Sequence, residues 1–218
     1  MPGEPTELYV RSRRALLDAL SALRDHLGSL ILVGAQAIYL HTGEVDEAIA
    51  TETKDSDLVV DPRDLRDDPR LEEALGRAGF HRDLVNPQPG TWFSPDGIPV
   101  DLLVPAAVAP GRRRHRSVDL SPHDRMATRR ITGLEAALVD HERRTIEALE
   151  PGDTRRFTID VAGPAALLVA KLQKIAERVT QPEHRQVAKD GHDAYRLLRE
   201  VPLETFVERF ALLFAEPV

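Results

Sequence analysis

Asp55 and Asp57 stand one residue apart in the run Thr53-Lys54-Asp55-Ser56-Asp57-Leu58-Val59-Val60. The apolar residues that follow them read as a strand. In a strand, residues i and i+2 point to one face, with Cα atoms roughly 6–7 Å apart. Two carboxylates held that close in a partly dry site repel each other, and one tends to keep its proton. A divalent cation removes the conflict. Carboxylate oxygens suit Mg²⁺ or Mn²⁺, and Mg²⁺ commonly sits between one or two carboxylates and substrate phosphates. A third carboxylate, Asp101, interrupts the apolar strand Ile98-Pro99-Val100-Asp101-Leu102-Leu103-Val104. A carboxylate placed in such a strand needs partners.

These three residues require a strand-based scaffold, and the chain supplies one. Leu30 to Val33 reads as a short strand that runs through Gly34 and Ala35 into a helix over 35–42. The free N–H groups of such a helix start attract phosphate, and Gly34 permits close approach of a ligand to the backbone. Thr91-Trp92-Phe93 and Ile98 to Val104 flank Pro95-Asp96-Gly97, a strong hairpin signal. Further helices are expected over 8–27, 71–78 and 133–149, with strands over 80–85 and 157–161. Beyond Gly163-Pro164 the chain reads as helical in three pieces, 164–180, 186–199 and 203–215, with Pro182 and Pro202 between them. The expected organisation is an α/β core over 1–155 followed by a helical region over 156–218 that closes the cleft.

The bulk composition narrows the classes. The chain has 218 residues, 42% hydrophobic and 30% charged, as in a globular protein. It has no cysteine, which excludes disulfides, thiolate metal sites and a cysteine nucleophile. The net charge of −7 makes any polyanion site a local one. The dense basic run Arg112-Arg113-Arg114-His115-Arg116 is the candidate in the α/β part for contacts to RNA phosphates. It has no interleaved aromatics, so a solvated loop is the rival reading. No stretch approaches the roughly 20 apolar residues of a membrane span. No segment of signal-peptide type opens the sequence, and a cytoplasmic location is expected. The eight histidines show no metal-ligand spacing, and no Walker A, G-x-G-x-x-G or G-x-S-x-G motif is present.

Leu32-Val33-Gly34-Ala35-Gln36-Ala37, followed by Thr53-x-Asp55-x-Asp57, resembles the signature of the nucleotidyltransferase superfamily with the DNA polymerase β-like fold. The nearer resemblance is to the nucleotidyltransferases of abortive-infection and type IV toxin–antitoxin systems. Ala170-Lys171 through Arg178, and Lys189-Asp190-Gly191-His192-Asp193, match that group's C-terminal motifs. Ala35 stands where a second glycine or serine is usual, and keeps the backbone N–H. The resemblance implies an α+β fold: a small mixed β-sheet core with flanking helices and a C-terminal helical region. It implies transfer of a nucleoside monophosphate from an NTP to a hydroxyl acceptor. Asp55, Asp57 and Asp101 would hold Mg²⁺ or Mn²⁺, with Asp101 also acting as, or positioning, the base. Gly34 and Ala35 would bind phosphate. Lys171 would neutralise the leaving pyrophosphate, alongside Arg178. Asp190 and Asp193 would orient Lys171 or the nucleophile, or form a structural pair with it. The acceptor implied is RNA, a tRNA end included, with an antitoxin protein as partner. The alternatives are a small-molecule, antibiotic-type acceptor, and a catalytically degenerate nucleotide- or partner-binding protein.

Overall fold

A computed structural model describes residues 6–43, 55–111, 115–179 and 187–216. Residues 44–54, Thr53 and Lys54 included, Arg112 to Arg114 and Pro182 lie outside the described residues.

The chain opens with α1 (Glu7–Ala22). Thr6 caps it by accepting the Tyr9 N–H, and Leu16, Leu17, Leu20 and Leu23 are fully buried. A 3₁₀ helix (Arg24–Ser29) leads into β1 (Leu30–Val33), buried along its whole length. The chain then turns at Gly34 directly into α2 (Gly34–Thr42). Strand β2 (Ser56–Val60) runs antiparallel to β1. Helix α3 (Leu71–Arg77) precedes the hairpin of β3 (Thr91–Phe93) and β4 (Pro99–Pro105). The Pro95-Asp96-Gly97 turn closes that hairpin, with Gly97 N–H donating to the Ser94 carbonyl.

Among the described residues the sheet is mixed and seven-stranded, in the order β3-β4-β2-β1-β7-β6, where β6 is His141–Glu147 and β7 is Arg156–Ala162. A short β5 (Arg129–Ile131) pairs with the far half of β4, beyond β3. Strands β2 and β4 are parallel neighbours, as are β1 and β7. The fold is therefore α+β with a mixed sheet. Helix α1 packs on β2, β4 and β7. Helix α2 lies against β1 and β2 and meets the C-terminal helices α4 (Pro164–Val179) and α5 (Val187–Glu200). Helix α6 (Leu203–Ala215) packs on α4.

Three expectations fail. The helix over 133–149 is a short 3₁₀ turn (Glu135–Leu138) followed by β6. The charged sequence HERRTIE suits an exposed helix, but it pairs with β7 along seven residues as an edge strand. Between the two, the fully buried Asp140 accepts the Ala166 N–H and caps the start of α4. The strand over 80–85 reduces to a bridge between His81 and Phe93. Helix α1 stops at Ala22, and the 3₁₀ helix occupies the rest of the 8–27 stretch. Strand β7, at 156–162, belongs to the sheet although it falls beyond residue 155.

Candidate functional site

Asp57 and Asp101 are register partners on the parallel strands β2 and β4. Neighbouring partners of parallel strands present their side chains on one face. Asp55, two residues before Asp57, precedes β2. Across the other edge of β2, Asp57 pairs with Val33, the last residue of β1. Gly34 comes next, at φ +72°. A Cβ built on Gly34 would collide with the Asp57 carboxylate and stand only 3.1 Å from its Cγ. Glycine is thus required twice, by the left-handed backbone and by the side chain lying over it. The junction puts the start of α2 beside the carboxylate row.

The electrostatics agree with this convergence. Burial, then the charge of Asp57, holds Asp55 above the usual carboxylate range, with Lys189 and Lys174 pulling the other way. Burial, then Asp57, also raises Asp101, against Arg129 and a hydrogen bond from Thr91. One carboxylate thus loads both others.

Asp101 is already engaged. Thr91 Oγ1 donates to its Oδ1 at 2.7 Å, and the Arg129 guanidinium pairs with its Oδ2. Among the described residues, no three histidine or carboxylate side chains are drawn together as a finished ion-binding group. The fit to a divalent cation rests on the Asp55–Asp57 pair, with Asp57 cradled on Gly34 and oxygen donors on one face. That suffices for Mg²⁺, which takes one or two carboxylates and completes its shell with water and phosphate.

A buried polar network holds the backbone at Asp55. Gln36 on α2 donates to Ser56 Oγ at 2.6 Å and to Ser12 Oγ at 3.1 Å. Ser12 in turn donates to the Asp55 carbonyl at 3.3 Å. Arg13, 3% exposed, donates to Gln36 Oε1, to the Glu147 carbonyl and to Tyr9 Oη. Four elements meet there: α1, α2, β2 and β6. Buried polar groups this fully bonded fix one arrangement. The sequence reading singled out neither Ser12 nor Arg13.

On the C-terminal helices, Lys171 is 7% exposed in its side chain and sits between Asp190 at 3.2 Å and Asp193 at 2.6 Å. Burial alone would lower its pKa; Asp193 and Asp190 outweigh that and raise it. Arg178 pairs with the other oxygen of Asp190. The motif residues Lys171, Arg178, Asp190 and Asp193 therefore come together, as an ion cluster joining α4 to α5. Arg196 anchors α5 to α2 through Thr42 Oγ1 at 2.7 Å and lies over the Tyr39 ring at 4.6 Å. Lys189 and Lys174 are the lysines whose charges pull Asp55 back towards the ordinary range. Lys174 follows Lys171 by three positions and is only half-buried, whereas Lys171 is buried in the ion cluster.

A cavity of about 280 Å³ opens beside the row, lined in part by Asp55, Asp101, Arg129, Thr91 and Phe93. Of the basic run, His115 and Arg116 are described, and both are exposed. The Arg116 carbonyl accepts the Arg130 N–H, which sets this end of the run against β5.

No helix among the described residues is long and apolar enough to cross a membrane. No protein-family profile matches the chain. No curated protein matches it either. Among solved structures it is similar to an antigenic nucleotidyltransferase-like protein from Paracoccidioides brasiliensis, with 16% identity and a TM-score of 0.46, covering 100% of this chain and 92% of that one.

Proposed function

We propose that this chain is a metal-dependent nucleotidyltransferase that moves a nucleoside monophosphate from an NTP to a hydroxyl acceptor. The observation that carries this reading is the Asp57–Asp101 register pair, with Asp55 upstream and the Gly34 turn beneath Asp57.

Each residue then has a physical task. Asp55 and Asp57 hold Mg²⁺ or Mn²⁺, and Asp101 completes the set. The bound ion supplies Lewis-acid neutralisation of the triphosphate. The N–H groups at the start of α2, Ala35 among them, bind phosphate oxygens. Asp101 takes the proton of the acceptor hydroxyl as its oxygen bonds to the α-phosphorus, and pyrophosphate leaves with the electron pair of the broken P–O bond. Lys174 and Lys189 balance charge on the leaving group. Lys171, Arg178, Asp190 and Asp193 hold the helices that carry those lysines.

RNA, tRNA ends included, is the proposed acceptor, and an antitoxin-like protein the proposed partner. The sequence resemblance supports both, and the placement of Arg116 beside β5 is compatible with an RNA path. A small hydroxylated molecule is the alternative acceptor. A second reading, nucleotide binding without transfer, draws support from the Asp101–Arg129 pair, which already neutralises the third carboxylate. Incubation with labelled NTPs, Mg²⁺ and total RNA separates these readings. Transfer predicts label on an acceptor that is lost in Asp57→Asn. Retention of NTP on the protein with no labelled product favours the second reading.

A further inference from the structure

We infer that Arg129 is an exchangeable counter-ion of this site. It neutralises Asp101 in the metal-free protein, yields that carboxylate to an incoming divalent cation, and turns its guanidinium to the phosphates of the nucleotide. This rests on the transferase reading and adds to it an order of events and a phosphate-binding residue.

The geometry has a fixed root and a movable tip. Arg129 pairs with Leu103 on β4, two residues beyond Asp101, so its side chain must run back along the strand to reach the carboxylate. The root is clamped. A Cβ on Gly90 would stand 2.6 Å from Arg129 N and 2.7 Å from Arg129 Cβ, and the Gly90 backbone bonds to Leu102 and Met126. The tip is not clamped. Its guanidinium grips a single oxygen, Asp101 Oδ2. Its Nε is buried with no hydrogen-bond partner among the described residues. A buried guanidinium N–H left unmatched costs free energy that a ligand acceptor recovers.

Asp101 is built to lose this partner. Thr91 holds Oδ1 independently, so the carboxylate keeps its orientation when Oδ2 is released. The side chains of Arg129 and Asp101 are 14% and 13% exposed, and both line the same cavity of about 280 Å³. The guanidinium therefore has a space to swing into, and it is the space next to Asp55. Arginine suits this task because its planar fork binds carboxylate and phosphate alike.

The test compares Arg129→Gln, Arg129→Met and Arg129→Lys with the natural chain, measuring free Mn²⁺ by electron paramagnetic resonance. Neutral variants remove a competing cation, so Mn²⁺ should bind about tenfold more tightly, the usual scale of site coupling. Arg129→Lys should stay close to the natural chain. A non-hydrolysable NTP analogue with Mg²⁺ should bind the neutral variants more weakly. A purely structural role would not move the two affinities in opposite directions. Unchanged or weaker Mn²⁺ binding in the neutral variants overturns the inference alone. Mn²⁺ binding that is absent from the natural chain, or indifferent to Asp57→Asn, overturns the transferase reading and the inference with it. A measurement on the natural chain covers variants that fail to fold. The Arg129 Nε–H resonance should shift during a Mg²⁺ titration, and a static signal overturns the exchange.

Discussion

The Asp57 carboxylate occupies the space that a side chain on Gly34 would fill. This one contact joins the phosphate-binding end of α2 to the acidic row on β2 and β4. It also explains the order of the sequence: strand, glycine, helix, and then the paired aspartates on the neighbouring antiparallel strand. Each half has a common local explanation. The contact makes them one site.

Gly34→Ala should therefore lower stability and activity together. The backbone strain at φ +72° and the collision with Asp57 should cost about 1–3 kcal/mol. Displacement of Asp57 should reduce transfer beyond what the lost stability explains. Gly28→Ala is the control, since nothing lies within 4 Å of a Cβ there. Chemical denaturation and transfer assays on both variants decide it. Equal behaviour of the two would mean that Asp57 moves aside at no cost.

Asp57→Asn should abolish transfer while leaving the metal-free fold as stable as before, or more so. The swap nearly preserves shape. It also removes the charge that helps to hold Asp55 and Asp101 above the ordinary carboxylate range. Acids with raised native pKa values weaken the fold above those values, so relieving the repulsion stabilises it near neutral pH. The expected loss of activity is about a hundredfold or more. A lowered melting temperature with activity retained would put the site elsewhere.

Much of the site was legible because its signals are local. The i, i+2 aspartates, the strand–Gly34–helix junction and the Pro95-Asp96-Gly97 hairpin each need only a few adjacent residues. The parallel pairing that sets Asp101 beside Asp57 was compatible with the pattern but not specified by it. What stayed hidden is tertiary. Strand β5 is three residues long and carries no strand signal of its own, so Arg129 passed unnoticed. Strand β6 reads as a charged helix until β7 offers it an edge. Lys171 and Lys174 look alike along one helix face, and only the packing of α5 buries Lys171 and leaves Lys174 half-buried.

Acidification from pH 7.5 to 5.5 should destabilise the protein through one buried and one half-buried histidine. His123 is buried, and its Nδ1 accepts the Leu71 N–H at 3.2 Å, which requires the neutral ring. Burial, then the neighbouring His26, holds its pKa below the ordinary value. Burial likewise lowers His41 despite its bond to the Ala162 carbonyl. With folded values depressed, the unfolded chain binds more protons in this window. Stability is complete above about pH 6.5 and falls as the pH drops through that value, by up to about 1.4 kcal/mol per unit of depression. Asp61, Asp124 and Glu142, all held low, act in the same direction but below about pH 4. Asp55 and Asp101 oppose the trend, so the comparison is with His123→Asn, which should flatten the slope. An unchanged slope would exclude His123 as its source.

The last prediction separates two lysines three positions apart. Lys171→Met should strip the buried Asp193 of its cation and leave Asp190 to Arg178. Removing one member of a buried ionic cluster typically costs about 3–5 kcal/mol, so this variant should fold poorly or melt early. Lys174→Met should leave stability within about 0.5 kcal/mol, because its side chain is only half-buried. Yet Lys174→Met should raise KM for the NTP, since its charge acts on Asp55 and would meet the triphosphate there. Denaturation curves and steady-state kinetics on the two variants give opposite profiles if the assignment is right. A stable Lys171→Met that loses NTP affinity, beside a kinetically silent Lys174→Met, would return Lys171 to the triphosphate and make the Asp190–Asp193 cluster part of the catalytic machinery.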